Sequence, residues 1–176
     1  MSKNIKKLNL SINKKVFVPT GTSQILIEAI KKVIKPKKKI LDLGCGSGIV
    51  GITLAKHLNL KSKIFFSDVS KHACENTIQN CKKYKINYDV RIGSTLDPWK
   101  NYKFDFIISD VAAITEKISN ISPWYKDCIN NSGSDGTRHI IKIIKNVKKY
   151  LNDNGSFLFP IISLSNELKI LKIFKK

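Results

Sequence analysis

The segment LDLGCGSGIVGI, at residues 41–52, restricts the possible folds of this chain more than any other part of the sequence. Four of the nine glycines lie here within eight residues, after an apolar run and before a stretch with helical periodicity. Glycine permits the positive φ angles of a tight turn and lets a ligand approach the backbone closely. The first N–H groups of a helix have no partner within it, so they can bind an anionic group. The segment therefore predicts a strand, a turn and a helix that hold a ligand between them.

The rest of the chain alternates apolar strands with amphipathic helices. The predicted strands are KKILDLG at 38–44, 63–68, 88–92, 104–109 and 155–160. The predicted helices run from a cap at Thr22 or Ser23 to Pro36, and over 49–58, 70–83, 137–151 and 166–174. Residues 110–135 are predicted as a long loop with a short helix around 114–119. This alternation indicates an α/β fold, a Rossmann-like, doubly wound parallel sheet between two helical layers. Ligands of such sheets bind at the carboxyl ends of the strands.

Three helices carry residues expected in the core because they share one face. In the first helix these are Ile25, Leu26, Ala29, Ile30 and Val33. In the helix that begins at Thr137 they are Ile140, Ile141, Ile144 and Val147. In the helix that begins at Ser70, Cys74 and Cys81 lie seven residues apart and are expected on one buried face.

The formal net charge of +19 is concentrated at the two ends of the chain. Residues 1–39 carry eleven lysines and one acid, and residues 137–176 carry nine basic and two acidic side chains. A field of this sign attracts polyanions such as RNA. Arg91 and Arg138 are the only arginines, however, and arginine is the favoured residue for forked phosphate contacts. An RNA-binding role and the codon usage of an AT-rich genome therefore both remain open as explanations.

Composition also excludes several classes of protein. No apolar run approaches the roughly 20 residues that a membrane helix needs, and the N-terminus lacks the apolar stretch of a signal peptide. A cytoplasmic protein without membrane contact is therefore expected. The four cysteines form no CxxC pair and the three histidines are far from metal-ligand spacing, so reduced thiols and no metal site are expected.

The glycine turn fits two classes of cofactor. Gly46, Gly48 and Gly51 match the GxGxxG pattern of dinucleotide folds, which leaves an NAD-binding enzyme as one alternative. Such an enzyme would need a second mononucleotide half in a longer chain. Asp42 extends the pattern to DxGxGxG, and the string LDLGCGSG resembles motif I of class I S-adenosylmethionine-dependent methyltransferases. The resemblance covers roughly residues 17–165 and implies S-adenosyl-L-methionine as the cofactor.

The resemblance also implies which residues hold that cofactor. The roles of the family fall on Gly44 and Gly46 for the methionine part, on Asp42 for its amino group and on Asp68 for the ribose hydroxyls. Ser94 stands where many members have an acid that contacts adenine. The cofactor-binding residues implied are Asp42, Gly44, Cys45, Gly46, Gly48, Asp68, Val69, Ser94, Thr95 and Ser109.

The acceptor side departs from the family pattern. VFVPTGTSQILIEAI (16–30) and FDFIISDVAAI (104–114) resemble the small-domain methyltransferases, which include release-factor glutamine methyltransferases and RNA N-methyltransferases. Those enzymes end the fourth strand in Asn-Pro-Pro-Tyr, whereas this chain has Asp110 followed by Val-Ala-Ala. Asp110 is the candidate catalytic residue, as a hydrogen-bond acceptor or a general base. Because Ala113 has no ring to stack on a planar acceptor, glutamine or adenine specificity is not implied.

Trp124 and Tyr125 in the following loop offer two alternatives. They supply an aromatic wall for an acceptor, or they pack the loop onto the sheet.

The domain organisation follows from the same resemblance. Residues 1–18 are expected to form a basic arm and residues 19–176 the methyltransferase domain, with strands ordered 3-2-1-4-5. Strands six and seven of the family are apparently missing, so the fifth strand is expected to be an exposed edge through which the chain dimerises, unless the chain is truncated. The function predicted is methyl transfer to an unidentified acceptor, with RNA or a ribosome-associated protein as favoured partners. The alternatives are a non-catalytic module that docks on RNA or protein, and the NAD-binding enzyme.

Overall fold

The computed structural model describes residues 8–34, 39–111, 113–130 and 132–175. Its centre is a parallel five-stranded sheet in the order β3-β2-β1-β4-β5, as predicted. The strands are β1 Ile40–Leu43, β2 Ile64–Asp68, β3 Tyr88–Ile92, β4 Phe104–Ser109 and β5 Leu151–Leu158. The helices are α1 Gly21–Val33, α2 Ile49–His57, α3 Lys71–Tyr84, α4 Glu116–Ile121, α5 Arg138–Asn146 and α6 Glu167–Phe174. Short 3₁₀ turns cover Asp97–Trp99, Pro123–Tyr125 and Val147–Tyr150.

The two faces of the sheet carry separate apolar cores, which makes the three-layer α/β/α architecture that the sequence predicts. Helices α1, α2 and α3 pack on one face against residues that include Ile40, Ile64, Phe66 and Ile108. Helix α5 packs on the other face, against residues that include Leu41, Leu43, Phe65 and Ile107. Cys74 and Cys81 of α3 are buried as expected. Among the described residues, no helix is long and apolar enough to cross a bilayer.

Helix α1 starts earlier and faces differently than predicted. It begins at Gly21, and Thr20 precedes it without a side-chain hydrogen bond to the helix, so the predicted caps Thr22 and Ser23 lie inside the helix. It ends at Val33, and Pro36 lies outside the described residues.

The buried stripe of α1 also differs from the predicted one. It consists of Ser23, Leu26, Ile27 and Ile30, while the predicted core residues Ile25, Ala29 and Val33 are exposed. The physical reason is that Ser23 donates a hydrogen bond to Asp110 beyond β4, which turns this polar position toward the sheet.

The boundary between α5 and β5 is the other region where the predictions were wrong. The predicted helix 137–151 ends as an α-helix at Asn146, and β5 begins at Leu151 instead of residue 155. Asn154 and Gly155, two residue types that favour turns, lie inside β5, where Asn154 has φ +61° and the pairing register with β4 shifts. Phe104 pairs with Leu151 and Phe106 with Ser156, so β5 has three more residues than β4 between these two pairs, and the strand continues past the irregularity. In α5 the buried positions are Ile140 and Ile143 rather than Ile141 and Ile144.

Candidate active site

A cavity of about 380 Å³ opens where β1, β2 and β4 end. This volume lies in the range of small-molecule sites. Its walls come from the glycine turn after β1, the residues that follow β2, β3 and β4, and the N-terminal arm. The predicted position of the ligand, at the carboxyl ends of the strands, therefore coincides with the cavity.

The glycine turn presents its backbone to this cavity. Gly44 and Cys45 donate backbone hydrogen bonds of 2.8 and 3.0 Å to the Ser67 carbonyl, which fixes the turn to the end of β2. Gly46 has φ +53°, and a Cβ placed on it would meet no atom within 4 Å. The left-handed backbone disfavours any side chain there, and the open space on the Cα leaves room for a ligand.

Asp68 lies beside the glycine turn at the end of β2. Its Oδ2 accepts a hydrogen bond from the Gly46 N–H at 3.0 Å, and its Oδ1 accepts one from the Ser70 N–H at 2.9 Å. Each carboxylate oxygen has capacity for a second donor, so both could accept from the hydroxyls of a diol. Burial raises the pKa of Asp68 from its ordinary value, and the backbone hydrogen bonds oppose that shift.

Asp42 lies beneath the turn rather than in the cavity wall. It is 1% exposed; its Oδ2 accepts from the Gly51 N–H at 2.8 Å, and its Oδ1 has no partner among the described residues. Burial raises the pKa of Asp42 to about 8. The carboxyl group therefore anchors the start of α2 from below and does not face the space that a ligand would occupy.

The structure brings most of the predicted cofactor residues to the cavity wall. Those that line it are Gly44, Cys45, Gly46, Asp68, Val69, Ser94 and Thr95, together with the candidate catalytic residue Asp110. The three that do not are Asp42, Gly48 and Ser109. Gly48 precedes α2 with φ +79°, and Ser109 is 1% exposed with no hydrogen bond to its hydroxyl among the described residues.

Sequence reasoning missed a buried polar face on α3 that holds the turn and the arm together. Asn80 donates to the Ser11 and Ser47 carbonyls, both at 2.9 Å, and accepts from the Ser11 N–H at 2.9 Å. Asn76 donates to the Ser11 carbonyl at 2.8 Å, and Thr77 donates to the Gly46 carbonyl at 3.0 Å. The sequence signal was available: three polar residues at helical spacing lie on the same face as Cys81.

Because the arm is held in this way, it closes one side of the cavity. Lys15, Val16 and Phe17 line the wall, followed by Pro19 and Thr20. The division of the chain into an arm and a domain stays a prediction, since no observation tests it.

The acceptor side of the cavity centres on Asp110. Its Oδ2 accepts from the Ser23 hydroxyl at 2.5 Å, and burial raises its pKa. The Tyr125 ring lines the cavity at 4.8 Å from the Phe17 ring, whereas Trp124 is 68% exposed. Of the two aromatic residues in this loop, Tyr125 is therefore the one that contributes to the wall.

Comparison with known proteins identifies the family. The family model of the methyltransferase small domain matches residues 16–111. The chain belongs to the methyltransferase small domain family. It is 32% identical over 174 residues to a release factor glutamine methyltransferase of Borreliella burgdorferi, which covers 95% of this chain and 59% of that relative. It is 30% identical over 168 residues to a release factor glutamine methyltransferase of Clostridium botulinum, which covers 88% of this chain and 58% of that relative. The chain thus spans somewhat under 60% of the length of these two curated relatives.

A solved structure gives the same fold for this methyltransferase small domain. A methyltransferase from Pyrococcus furiosus superposes with a TM-score of 0.68 at 19% identity, covering 97% of this chain and 76% of that one. The likeness confirms the Rossmann-like sheet and its strand order.

The cavity of this methyltransferase small domain fits the cofactor of its family. Class I members use S-adenosyl-L-methionine. The open space above Gly46 and the free acceptor capacity of Asp68 suit the amino-acid and sugar parts of such a molecule. The family match favours this cofactor over NAD. Among the described residues, no group of three or more His, Cys, Asp or Glu side chains forms a metal site.

Proposed function

We propose that this chain transfers a methyl group from S-adenosyl-L-methionine to an acceptor on a protein or an RNA. The observation that carries the proposal is the open, left-handed backbone of Gly46 directly beside the Asp68 carboxylate. A ligand that lies over the turn would therefore meet exposed backbone and a hydrogen-bond acceptor for its sugar. The names of the relatives add support, since they include methyltransferases of release factors, of tRNA and of ribosomal protein L11.

The cofactor, when bound, supplies an electrophilic methyl group on a sulfonium. The protein has little covalent chemistry to perform in such a displacement, so positioning and exclusion of water dominate. Asp68 would orient the sugar of the cofactor, and the glycine turn would hold its amino-acid end. Asp110 lies where an acceptor would approach, because it lines the same cavity at the end of β4.

Calorimetric titration with S-adenosyl-L-methionine tests the proposal. We expect saturable heat for the wild type, and a loss of affinity of at least about tenfold for Asp68→Ala, which corresponds to one good hydrogen bond to a charged group. Gly46→Ala should weaken binding as well, because its methyl group projects into the open space. Asp153→Ala is the matched control, since Asp153 is an exposed acid on β5. Absence of heat from the wild type would refute the proposal.

A second candidate is a methyltransferase-like module that docks on RNA or protein without catalysis. The observation that favours it is the sequence Val-Ala-Ala after Asp110, where the related enzymes have Pro-Pro-Tyr. Incubation of a cell extract with the protein and cofactor carrying a tritiated methyl group separates the two. Incorporation into protein or RNA supports the enzyme, whereas cofactor binding without incorporation supports the docking module.

We also propose that the protein is cytoplasmic.

We further propose that the chain forms a homodimer through β5. Among the described strands β5 pairs only with β4, which leaves its other edge available for a second copy. Analytical ultracentrifugation tests the dimer, and a monomer at tens of micromolar would refute it.

A further inference from the structure

We propose that the acceptor group is a primary ammonium carried by an acidic polypeptide, and that Asp110 with the Phe17–Tyr125 ring pair binds it. The inference rests on the proposed methyl transfer and names the acceptor class of that same cavity. It follows from three features of the wall: an uncompensated carboxylate, a pair of neutral rings, and the absence of a ring on Ala113.

The carboxylate of Asp110 lacks a cationic partner in the described structure. None of the ion pairs among the described residues includes Asp110. Its one described hydrogen bond comes from the Ser23 hydroxyl on Oδ2. A half-buried carboxylate without a counter-ion is unfavourable, and a bound cation would relieve it. An ammonium would donate charge-assisted hydrogen bonds to this carboxylate, whereas a neutral amide would donate only ordinary ones, so the site favours an ammonium over a glutamine side chain.

The aromatic pair provides the second contact for such a group. Phe17 and Tyr125 lie with centroids 4.8 Å apart and planes inclined by 38°, and both line the cavity that Asp110 lines. Burial, and then the nearby charge of Asp110, raise the pKa of Tyr125 to about 12, so its phenol stays neutral. Alkylammonium groups bind the faces of such rings through cation–π attraction.

The position that would favour a flat acceptor is different here. Ala113 lines the cavity at the place where the resembling enzymes have a tyrosine. A planar base or amide would therefore lose a stacking surface there, whereas a tetrahedral ammonium does not need one. The cavity would select an ammonium through the charge of Asp110 and through the Phe17–Tyr125 ring pair.

Net charge determines what should carry the ammonium. The chain has a net charge of +19, so a basic polypeptide would be repelled during encounter and an acidic one attracted. The cavity wall carries two carboxylates, Asp68 and Asp110, and one lysine, Lys15. The interior is thus more acidic than the outer surface, which suits an ammonium presented by an acidic segment.

The reaction balances with these groups alone. Asp110 takes one proton from the ammonium, and the freed nitrogen lone pair forms the bond to the methyl carbon. The carbon–sulfur bond breaks and its electron pair stays on sulfur, which leaves a neutral thioether. The nitrogen becomes a methylammonium, and Asp110 passes its proton to water when the cavity opens.

Three tritium-incorporation assays test the acceptor class, with S-adenosyl-L-methionine bearing a tritiated methyl group. The probes are an acidic peptide with one lysine, the same peptide with glutamine in its place, and a single-stranded RNA that contains adenosine. We expect label in the lysine peptide, exceeding the glutamine peptide by about a hundredfold or more. Label in the glutamine peptide or the RNA would overturn the inference. So would an unlabelled lysine peptide when calorimetry shows cofactor binding; absence of cofactor binding would overturn the proposed function itself.

Peptide binding gives a readout that does not depend on turnover. Fluorescence anisotropy should show the acidic lysine peptide binding about tenfold or more tightly than its Nε-acetylated form. Asp110→Asn should remove that preference while the affinity for cofactor stays within about threefold. Equal binding of the acetylated and free peptides by the wild type would contradict the inference.

The pH profile separates a catalytic role of Asp110 from a structural one. Asp110→Asn should lower the labelling rate at neutral pH by about a hundredfold or more, because only the free amine then reacts. Its rate should rise about tenfold per pH unit toward the amine pKa near 10, a steeper rise than in the wild type. The other titratable groups that line this cavity are Lys15, Cys45, Asp68, Tyr125, Cys128 and His139, and Asp42 lies beneath the glycine turn. A variant whose profile parallels the wild type would refute the role.

Discussion

Replacing Asn80 with alanine should both destabilise the fold and weaken cofactor binding. Asn80 is fully buried on α3, and its side chain joins the N-terminal arm to the glycine turn. The substitution removes two hydrogen bonds to Ser11 and one to the Ser47 carbonyl. Ser11 belongs to the arm that closes the cavity, and Ser47 lines the cavity from the turn. One side chain thus holds both the arm and the glycine turn.

The magnitude follows from the count of lost contacts. A typical intramolecular hydrogen bond contributes about 1 kcal/mol net, and a buried partner left unsatisfied costs about 1–3 kcal/mol. We therefore expect Asn80→Ala to lower the free energy of unfolding by about 3 kcal/mol. Asn76→Ala should cost about 1.5 kcal/mol, because it removes one bond to Asn13 and one to a Ser11 carbonyl that Asn80 still satisfies.

Urea unfolding measures the stability, and calorimetry with S-adenosyl-L-methionine measures the binding. The control is Gln79→Ala, since Gln79 is an exposed neighbour on the same helix and should change stability by less than about 0.5 kcal/mol. Loosening of the turn and the arm should weaken cofactor affinity by about tenfold, or about 1.4 kcal/mol. The Ser11 amide should also lose protection in hydrogen exchange. If Asn80→Ala matched Gln79→Ala in both stability and affinity, the bridging role would be refuted.

Two further substitutions probe the packing beneath the turn. Gly51→Ala should lower the unfolding free energy by about 1–3 kcal/mol, because its Cβ would lie 2.4 Å from the Phe66 ring. Thermal unfolding measures the effect, and Gly21→Ala is the control because a Cβ on Gly21 would meet no atom within 4 Å. Equal melting temperatures of the two variants would contradict the clash. Asp42→Asn should flatten the dependence of stability on pH. The folded pKa of about 8 lies above the ordinary 3.8, so the stabilising contribution of Asp42 is complete below about pH 4 and is lost as the pH rises toward 8. Urea unfolding between pH 5 and 8 measures this slope, which should be shallower in the variant by up to about 1.4 kcal/mol per pH unit; an unchanged slope would show that Asp42 is ionised in the fold.

Local periodicity was sufficient to predict the sheet and most of its helices. Each predicted strand exists, because short buried runs such as FDFIIS between turn residues have few alternatives in an α/β chain. The prediction failed at β5, where Asn154 and Gly155 indicate a turn by composition. In the structure β4 pairs with residues on both sides of them, so the turn residues form an irregularity within the strand and do not precede it.

The candidate site was predictable where it depends on the backbone and unpredictable where it depends on distant side chains. The glycine turn and Asp68 follow one strand each, so their meeting at one edge of the sheet follows from topology alone. The contacts of the arm with α3 join residues 63–74 positions apart, and no periodicity encodes them. Tyr125 rather than Trp124 faces the cavity because of a 3₁₀ turn that the loop sequence did not predict.

The positions where simple patterning fails lie in the cavity wall or contact the segment of the glycine turn. Ser23 interrupts the apolar stripe of α1, Asp42 interrupts a buried strand, and Asn80 interrupts the buried face of α3. Each would cost stability in an ordinary core, since a buried polar group requires a partner. Ser23 donates a hydrogen bond to Asp110, and Asn80 forms hydrogen bonds with the arm and the glycine turn. Asp42 accepts one from the first turn of α2, and its other carboxylate oxygen has no partner among the described residues. A fold retains such groups where binding needs a fixed geometry, so these exceptions point to the same cavity as the glycine motif.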